Sequence, residues 1–221
     1  ETARERHHAY GKTEMWYIID ADRDALIYTG FEKDITREEY IQAVKEGNLE
    51  RYLHREKAIP GDVFFIPAGR VHAIGKGVLL AEIQQTSDIT YRIFDWNRVD
   101  GSGKSRELHT ELAVDVIDFA RVRNPKSHPV DEVNKTSELS TCKYFTVNRL
   151  TFNNAMQRDY NMLDSFVIYL CIDGECSVVY ASGSSERLTK GETLLLPADL
   201  KDIILRPQGK CSLLEVYVNQ A

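Results

Sequence analysis

A short stretch of this sequence occurs twice, and the repeat constrains the fold more than any other feature. Residues 61–75 read GDVFFIPAGRVHAIG, and residues 191–203 read GETLLLPADLKDI. In both copies a turn of glycine and an acidic residue leads into a short apolar strand, and a turn that begins with proline follows. The two copies are 130 positions apart, from Gly61 to Gly191 and from Pro67 to Pro197. We therefore expect a chain that contains two related β-domains.

The two copies differ at the position that matters most for chemistry. In the first copy His72 stands at the start of the strand that follows the turn, and the same offset places Asp202 there in the second copy. Imidazole is a common metal ligand. We therefore expect the first domain to carry the chemistry and the second to serve stability and to shape the cleft.

The rest of the chain has the pattern of a mainly β protein with a few helices. Many short apolar runs are separated by glycine and proline, which is typical of a sandwich or barrel. A capping box of Thr36 and Glu39 predicts a helix over about 36–53. Apolar residues at helical spacing predict a second helix over 108–120, and TYRIF at 90–94 predicts a strand.

A polar segment, DGSGKS at 100–105, is the natural linker between the two domains. We therefore expect a first domain over 1–100 with the 36–53 helix inserted, a linker and helix over 101–140, and a second domain over 141–221.

Composition excludes several classes of function. The net charge of −6 argues against a nucleic-acid partner, and no apolar run approaches the roughly 20 residues that cross a membrane. The four cysteines lie in the second half without a CxxC pair or a histidine cluster, so reduced thiols and a cytoplasmic location are expected.

Two residues are candidate metal ligands in the first domain. His72 is the first, and Glu14 is the second because a carboxylate opens an otherwise apolar strand in GKTEMWYII. Zinc accepts imidazole and carboxylate together. The alternatives are a structural histidine and a solvated strand end. His7 and His8 lie in a polar stretch and are expected in an N-terminal loop.

Three cations are candidates for binding an anionic substrate. Arg92 lies within the predicted strand, on the same face as Phe94, and a charged residue there needs a partner. That partner is either an anionic substrate or a carboxylate such as Asp95. Lys12 and Arg98 are further cations suited to phosphate.

Three segments together resemble the class I mannose-6-phosphate isomerases in their short bacterial form. They are GKTEMWYII, PGDVFFIPAGRVHAIGKGVLLAEIQQTSDITYRIFDWNR and RELHTELAVDVIDF. The PAGxxHA turn, the EIQQ-SD-TYR stretch and the following DW-R are specific to that family. The resemblance implies two cupin-type (jelly-roll) β-barrels with a few inserted or connecting helices, and a zinc-dependent interconversion of mannose 6-phosphate and fructose 6-phosphate through a cis-enediol.

The resemblance also implies roles for individual residues. Glu14 and His72 match two metal ligands of the family, Arg92 matches its catalytic arginine, and Lys12 matches an active-site lysine. Arg98 lies where some relatives carry a further basic residue, which suggests phosphate binding. The implied cofactor is one Zn²⁺ per chain, and the implied partner is a small sugar phosphate.

The sequence departs from the family at one place. Family members carry a Gln-Val-His-Pro segment with two more metal ligands just before the region where ETARERHHAYGK stands here. We therefore expect this chain to be a fragment with half of the metal site, inactive on its own and open to strand exchange at unpaired edges. A non-catalytic cupin that binds a sugar phosphate is the alternative function, and a cupin-type iron oxygenase is a third with only generic support.

Overall fold

The computed structural model describes residues 2–96 and 98–218. The chain divides into two compact units, one up to Ser127 and one from His128 onward. Both units are built mainly from antiparallel strands, which confirms the expected mainly β, cupin-type class. No helix in the described part of the chain combines the length and the apolar character that crossing a membrane requires.

The first unit contains two three-stranded sheets, ordered β4-β1-β6 and β3-β2-β5. Trp16, Ile18, Ile27, Phe64 and Ile66 fill the core of this unit and are almost fully buried. Its elements are α1 (Thr2–His7), β1 (Glu14–Ala21), β2 (Leu26–Phe31), α2 (Arg37–Lys45), a 3-10 turn (Leu49–Tyr52), β3 (Leu53–Lys57), β4 (Val63–Ile66), β5 (His72–Ile74), β6 (Val78–Gln84) and α3 (Thr110–Ala113).

The second unit contains a five-stranded sheet, β13-β10-β15-β8-β7, and a four-stranded sheet, β12-β11-β14-β9. Its strands are β7 (Lys135–Thr141), β8 (Thr146–Phe152), β9 (Met156–Asp159), β10 (Val167–Asp173), β11 (Glu175–Tyr180), β12 (Ser184–Thr189), β13 (Thr193–Leu196), β14 (Asp202–Pro207) and β15 (Cys211–Tyr217). The two sheets enclose an apolar core that includes three of the four free cysteines.

The internal repeat is confirmed in strand order and in register. Strands β4-β1-β6 correspond to β13-β10-β15, and β3-β2-β5 correspond to β12-β11-β14. Both central strands carry a bulge at the matching place, between Ile18 and Asp20 in β1 and between Cys171 and Asp173 in β10. The offset of 130 holds for β5 and β14, which begin at His72 and Asp202.

Several local predictions need correction. The capping box at Thr36 is present, but the helix ends at Lys45, and Gly47 follows with φ of +67° before a separate 3-10 turn. The predicted strand at 90–94 has no regular structure, and the helix predicted over 108–120 is limited to α3. The division between the two compact units falls between Ser127 and His128.

Candidate functional site

A cleft of about 800 Å³ in the first unit brings together all five residues singled out from the sequence. They are Lys12, Glu14, His72, Arg92 and Arg98. The cleft lies where the start of β1, the turn before β5 and the irregular segment 89–96 meet. Residues far apart in the sequence therefore form one site.

His72 is placed by the turn that precedes it. Arg70 donates its backbone N–H to the carbonyl of Pro67, which closes the turn, and Gly69 has φ of +93°. A Cβ at Gly69 would lie 2.5 Å from the carbonyl oxygen of Val116, so only glycine fits there. The turn therefore packs tightly and brings His72 to the start of β5.

The imidazole of His72 is oriented by the backbone of Arg70, two residues before it. Nδ1 lies 2.8 Å from the carbonyl oxygen of Arg70, and because a carbonyl only accepts, Nδ1 carries the proton and donates. Nε2 then has a lone pair to offer, and it lies 3.6 Å from Oε1 of Glu14. An outer hydrogen bond of this kind is typical of metal-binding histidines.

Glu14 is a buried carboxylate, only 1% exposed, which excludes a solvated strand end. Its Oε2 accepts a hydrogen bond of 3.0 Å from the indole N–H of Trp16. Its Oε1 lies 3.1 Å from the ammonium of Lys12, yet no donor among the described residues forms an aligned hydrogen bond with this oxygen. A buried carboxylate oxygen with no aligned donor needs a positive charge close to it, and the Lys12 ammonium supplies one here.

Glu14 and His72 fit a metal ion as two of its ligands. Two atoms that each bind one tetrahedral zinc at about 2.0–2.1 Å lie roughly 3.4 Å apart, close to the separation of Oε1 and Nε2 seen here. No group of three or more histidine, cysteine, aspartate or glutamate side chains within the described ranges could hold a metal by itself. The pair therefore fits part of a coordination shell.

Arg92 lies in the irregular segment, so the face predicted from strand alternation does not apply. Its backbone is tied to His109 twice: its N–H donates to Nδ1 of His109 at 3.2 Å, and its carbonyl accepts from the N–H of His109 at 2.7 Å. Its Nη1 donates to the carbonyl of Glu107 at 3.4 Å, the only hydrogen bond of this side chain to a described residue. Its side chain forms no ion pair with a carboxylate of the described residues, and Asp95 has other partners.

Those partners are Arg98 and Arg106, which both line the cleft. Arg98 donates to the Asp95 carboxylate at 2.6 and 3.0 Å, and Arg106 donates to it through Nε at 2.8 Å and through Nη2. The hydrogen bonds from Arg106, followed by those from Arg98, lower the pKa of the buried Asp95 to about 2. Two half-exposed guanidinium groups are thereby held side by side.

Arg106 is a residue that the sequence analysis missed as a site candidate. It begins the segment RELHTELAVDVIDF, which carries part of the family resemblance. Its proximity to Asp95 depends on how the chain between them folds back, and residue spacing did not reveal this. Neither Arg98 nor Arg106 uses its Nη1 group in a hydrogen bond within the described part of the chain, so both retain donors for an anion.

Lys12 and His7 complete the surroundings of the cleft. Lys12 lies between Glu14 and Glu82, at 3.1 and 3.5 Å. His7 ends α1 instead of lying in the expected loop, and its Nε2 lies 2.5 Å from the hydroxyl of Tyr91. His7 is therefore engaged outside the Glu14–His72 pair.

The matching place in the second unit has no pair of metal ligands. Val167 pairs with Leu196 as Glu14 pairs with Ile66, so an apolar residue stands where the first unit has its carboxylate. Asp202 is exposed at the start of β14. The difference between the two units agrees with the expectation that the metal-binding residues belong to the first unit.

The chain is similar in sequence and in structure to proteins that are named mannose-6-phosphate isomerase. The family model "Mannose-6-phosphate isomerase, cupin domain" matches residues 134–218, within the second unit. The crystal structure of the mannose 6-phosphate isomerase from Bacillus subtilis is 32% identical, with a TM-score of 0.85 over 98% of this chain and 68% of that chain. The chain belongs to the mannose-6-phosphate isomerase family.

Curated members of the family extend the match in sequence. Mannose-6-phosphate isomerase ManA of Bacillus subtilis (strain 168) is 37% identical over 91% of this chain. Mannose-6-phosphate isomerase of Streptococcus mutans serotype c is 33% identical over 90% of this chain. The chain spans 63% and 62% of the length of these two relatives.

Proposed function

We propose that the protein is a zinc-dependent mannose-6-phosphate isomerase whose first unit carries the active site. The observation that supports this most strongly is the Glu14–His72 pair, in which a buried carboxylate oxygen without an aligned donor faces an imidazole nitrogen at 3.6 Å. Four arginines, Arg70, Arg92, Arg98 and Arg106, line the same cleft together with Lys12. A metal-ligand pair beside clustered cations suits an anionic sugar.

The proposed reaction interconverts mannose 6-phosphate and fructose 6-phosphate by moving a proton between C2 and C1, through a cis-enediol. Negative charge develops on the sugar oxygens as the proton leaves carbon, and stabilising that charge lowers the barrier. When bound by Glu14 and His72, zinc would supply Lewis-acid stabilisation of those oxygens.

Arg92 and Lys12 are the protein side chains that would add positive charge next to the reacting sugar oxygens. Arg92 has no carboxylate partner among the described residues, so its guanidinium remains available to the developing charge, and its backbone is held by His109. Lys12 lies 3.1 Å from Glu14 and can donate to a sugar oxygen bound next to that carboxylate.

Arg98 and Arg106 suit the phosphate of the substrate. Asp95 holds both guanidinium groups, which limits the side-chain entropy lost when an anion binds. Phosphate contacts remote from the reacting carbons supply binding energy that helps to orient the sugar. We therefore infer specificity for a phosphorylated sugar over the free sugar.

We also infer that the protein works in a reducing, cytoplasmic environment. All four cysteines are free thiols, and Cys171, Cys176 and Cys211 are fully buried in the core of the second unit. Buried, unpaired thiols are typical of proteins from reducing compartments.

The experiment is a coupled assay of mannose 6-phosphate turnover together with zinc analysis, on the protein expressed from its complete gene. We expect turnover that depends on zinc, and loss of both zinc and turnover in His72→Ala. The matched control is Asp202→Ala, the same position of the repeat in the second unit, which should retain both. Bound zinc without turnover would contradict the isomerase and favour a sugar-phosphate-binding protein.

A further inference from the structure

Trp16 lies directly behind the Glu14–His72 pair and contacts both residues. It is 2% exposed on β1, in the core of the first unit. Its indole N–H donates to Oε2 of Glu14 at 3.0 Å, and its ring meets the imidazole of His72 edge to face, with centroids 5.2 Å apart. One side chain therefore touches both proposed ligands.

The indole is suited to holding a carboxylate that must remain charged. It donates one hydrogen bond, has no lone pair for a metal, and carries no charge that would neutralise Glu14. Because the indole N–H occupies Oε2, the other oxygen, Oε1, is directed toward Nε2 of His72. The ammonium of Lys12, in contrast, brings a positive charge of its own to within 3.1 Å of Oε1, the same oxygen that faces His72.

The second unit has a related arrangement at the matching strand position. The registers of β1 with β4 and of β10 with β13 place Tyr169 where the first unit has Trp16. The hydroxyl of Tyr169 lies 3.4 Å from Oε1 of the buried Glu215. This position therefore carries a buried aromatic donor in both units, although the acceptors differ: Glu14 lies on the same strand as Trp16, whereas Glu215 lies on the strand that neighbours Tyr169.

We propose that Trp16 is a positioning residue for the metal: its indole N–H fixes the carboxylate of Glu14 so that Oε1 and Nε2 of His72 converge on one ion. This inference rests on the proposed function, because it assumes that Glu14 and His72 bind zinc. Removing an outer hydrogen bond to a metal ligand weakens metal affinity about 10- to 100-fold.

The test is Trp16→Phe, which keeps an aromatic ring against His72 and removes the N–H. We expect zinc affinity, measured by competition with a chelator on the protein from the complete gene, to fall about 10-fold or more. The visible spectrum of bound Co²⁺ should change as well, since the direction of the Glu14 oxygen changes. Tyr169→Phe is the matched control: it removes the buried aromatic donor at the same strand position of the second unit, away from the Glu14–His72 pair, and zinc affinity should not change.

A double-mutant cycle with Glu14→Gln separates positioning from a general effect on folding. If Trp16 acts through Glu14, Trp16→Phe should have little further effect on zinc affinity in the Glu14→Gln protein. An equal loss in both backgrounds, or no loss in the unaltered background, would overturn the role of Trp16. If the unaltered protein binds no zinc, the metal site and the proposed function fail together, which is a distinct result.

Discussion

Arg92 and Asp95 are three residues apart, and their different partners show how local sequence can mislead at the residue scale. An ion pair between them was the simplest alternative from the sequence. In the structure Asp95 is engaged by Arg98 and Arg106, and Arg92 lines the cleft without a carboxylate partner among the described residues. Arg92 and Arg98 each lie three residues from Asp95, and it is Arg98 that pairs with it, so equal spacing along the chain did not decide the partner.

Replacing Arg92 with alanine should lower kcat for mannose 6-phosphate by at least about 100-fold, the scale of losing one contact to charge in the transition state. Steady-state kinetics of Arg92→Ala measures this, with Arg51→Ala as a control, because Arg51 is exposed and does not line the cleft. Unchanged kcat with reduced thermal stability would instead assign Arg92 a structural role.

The Asp95 carboxylate should make stability depend on acid pH. Its pKa is lowered from 3.8 to about 2 by the hydrogen bonds from Arg106 and Arg98. A folded-state pKa below the unfolded value stabilises the fold above about pH 4, and the contribution disappears as pH falls through about 2. Asp95→Asn should therefore lower the free energy of unfolding at pH 5, and its difference from the unaltered chain should shrink toward pH 2 in urea titrations. A difference that stays constant with pH would contradict this assignment.

At the scale of elements, the turn at 67–70 and the capped helix α2 are the parts that local sequence specified best. The capping box at Thr36 and Glu39 forms as predicted, because both hydrogen bonds lie within four residues. The end of α2 at Lys45 and the irregular segment 90–94 were not predicted. At 90–94 the alternating pattern did not produce a strand, since strand pairing is decided by neighbours distant in sequence.

The turn before His72 should be sensitive to a single methyl group. In Gly69→Ala the new Cβ meets the carbonyl of Val116 at 2.5 Å with φ of +93°, and we expect a loss of about 3 kcal/mol in the free energy of unfolding. Gly47→Ala is the matched control: φ is +67° but no atom lies within 4 Å, so about 1 kcal/mol should be lost. Urea unfolding of both variants provides the comparison, and equal losses would exclude a role for the Val116 contact.

At the scale of the whole molecule, the two units share a strand topology but differ in the burial of one matching carboxylate. Glu82 on β6 and Glu215 on β15 occupy matching positions, since Glu82 pairs with Trp16 and Glu215 pairs with Tyr169. Glu82 is partly exposed beside Lys12, whereas Glu215 is fully buried and accepts from Arg158, Tyr160 and Asn148. In the second unit, the residue at this position is therefore part of a buried hydrogen-bond network.

Neutralising these two carboxylates should have unequal effects. Glu215→Gln leaves the Arg158 guanidinium without its counter-ion, and we expect about 3 kcal/mol of destabilisation. Glu82→Gln removes a partly exposed ion pair at 3.5 Å and should cost under about 1 kcal/mol. Chemical denaturation measures both, and similar losses would show that burial does not distinguish the two positions.

The sequence by itself determined the repeat and the mainly β class, and it pointed to five of the residues that line the cleft, because strand periodicity, turn residues and the PAGxxHA turn are local patterns. Only the tertiary structure decided how those residues combine: that Oε1 of Glu14 faces His72, that Trp16 holds Oε2, and that Arg106 joins Arg98 on Asp95. These contacts join segments up to 58 positions apart, from Glu14 to His72. The physical reason is that hydrogen bonds, ion pairs and burial depend on the distance between atoms in space. Sequence patterns describe only residues that are close along the chain.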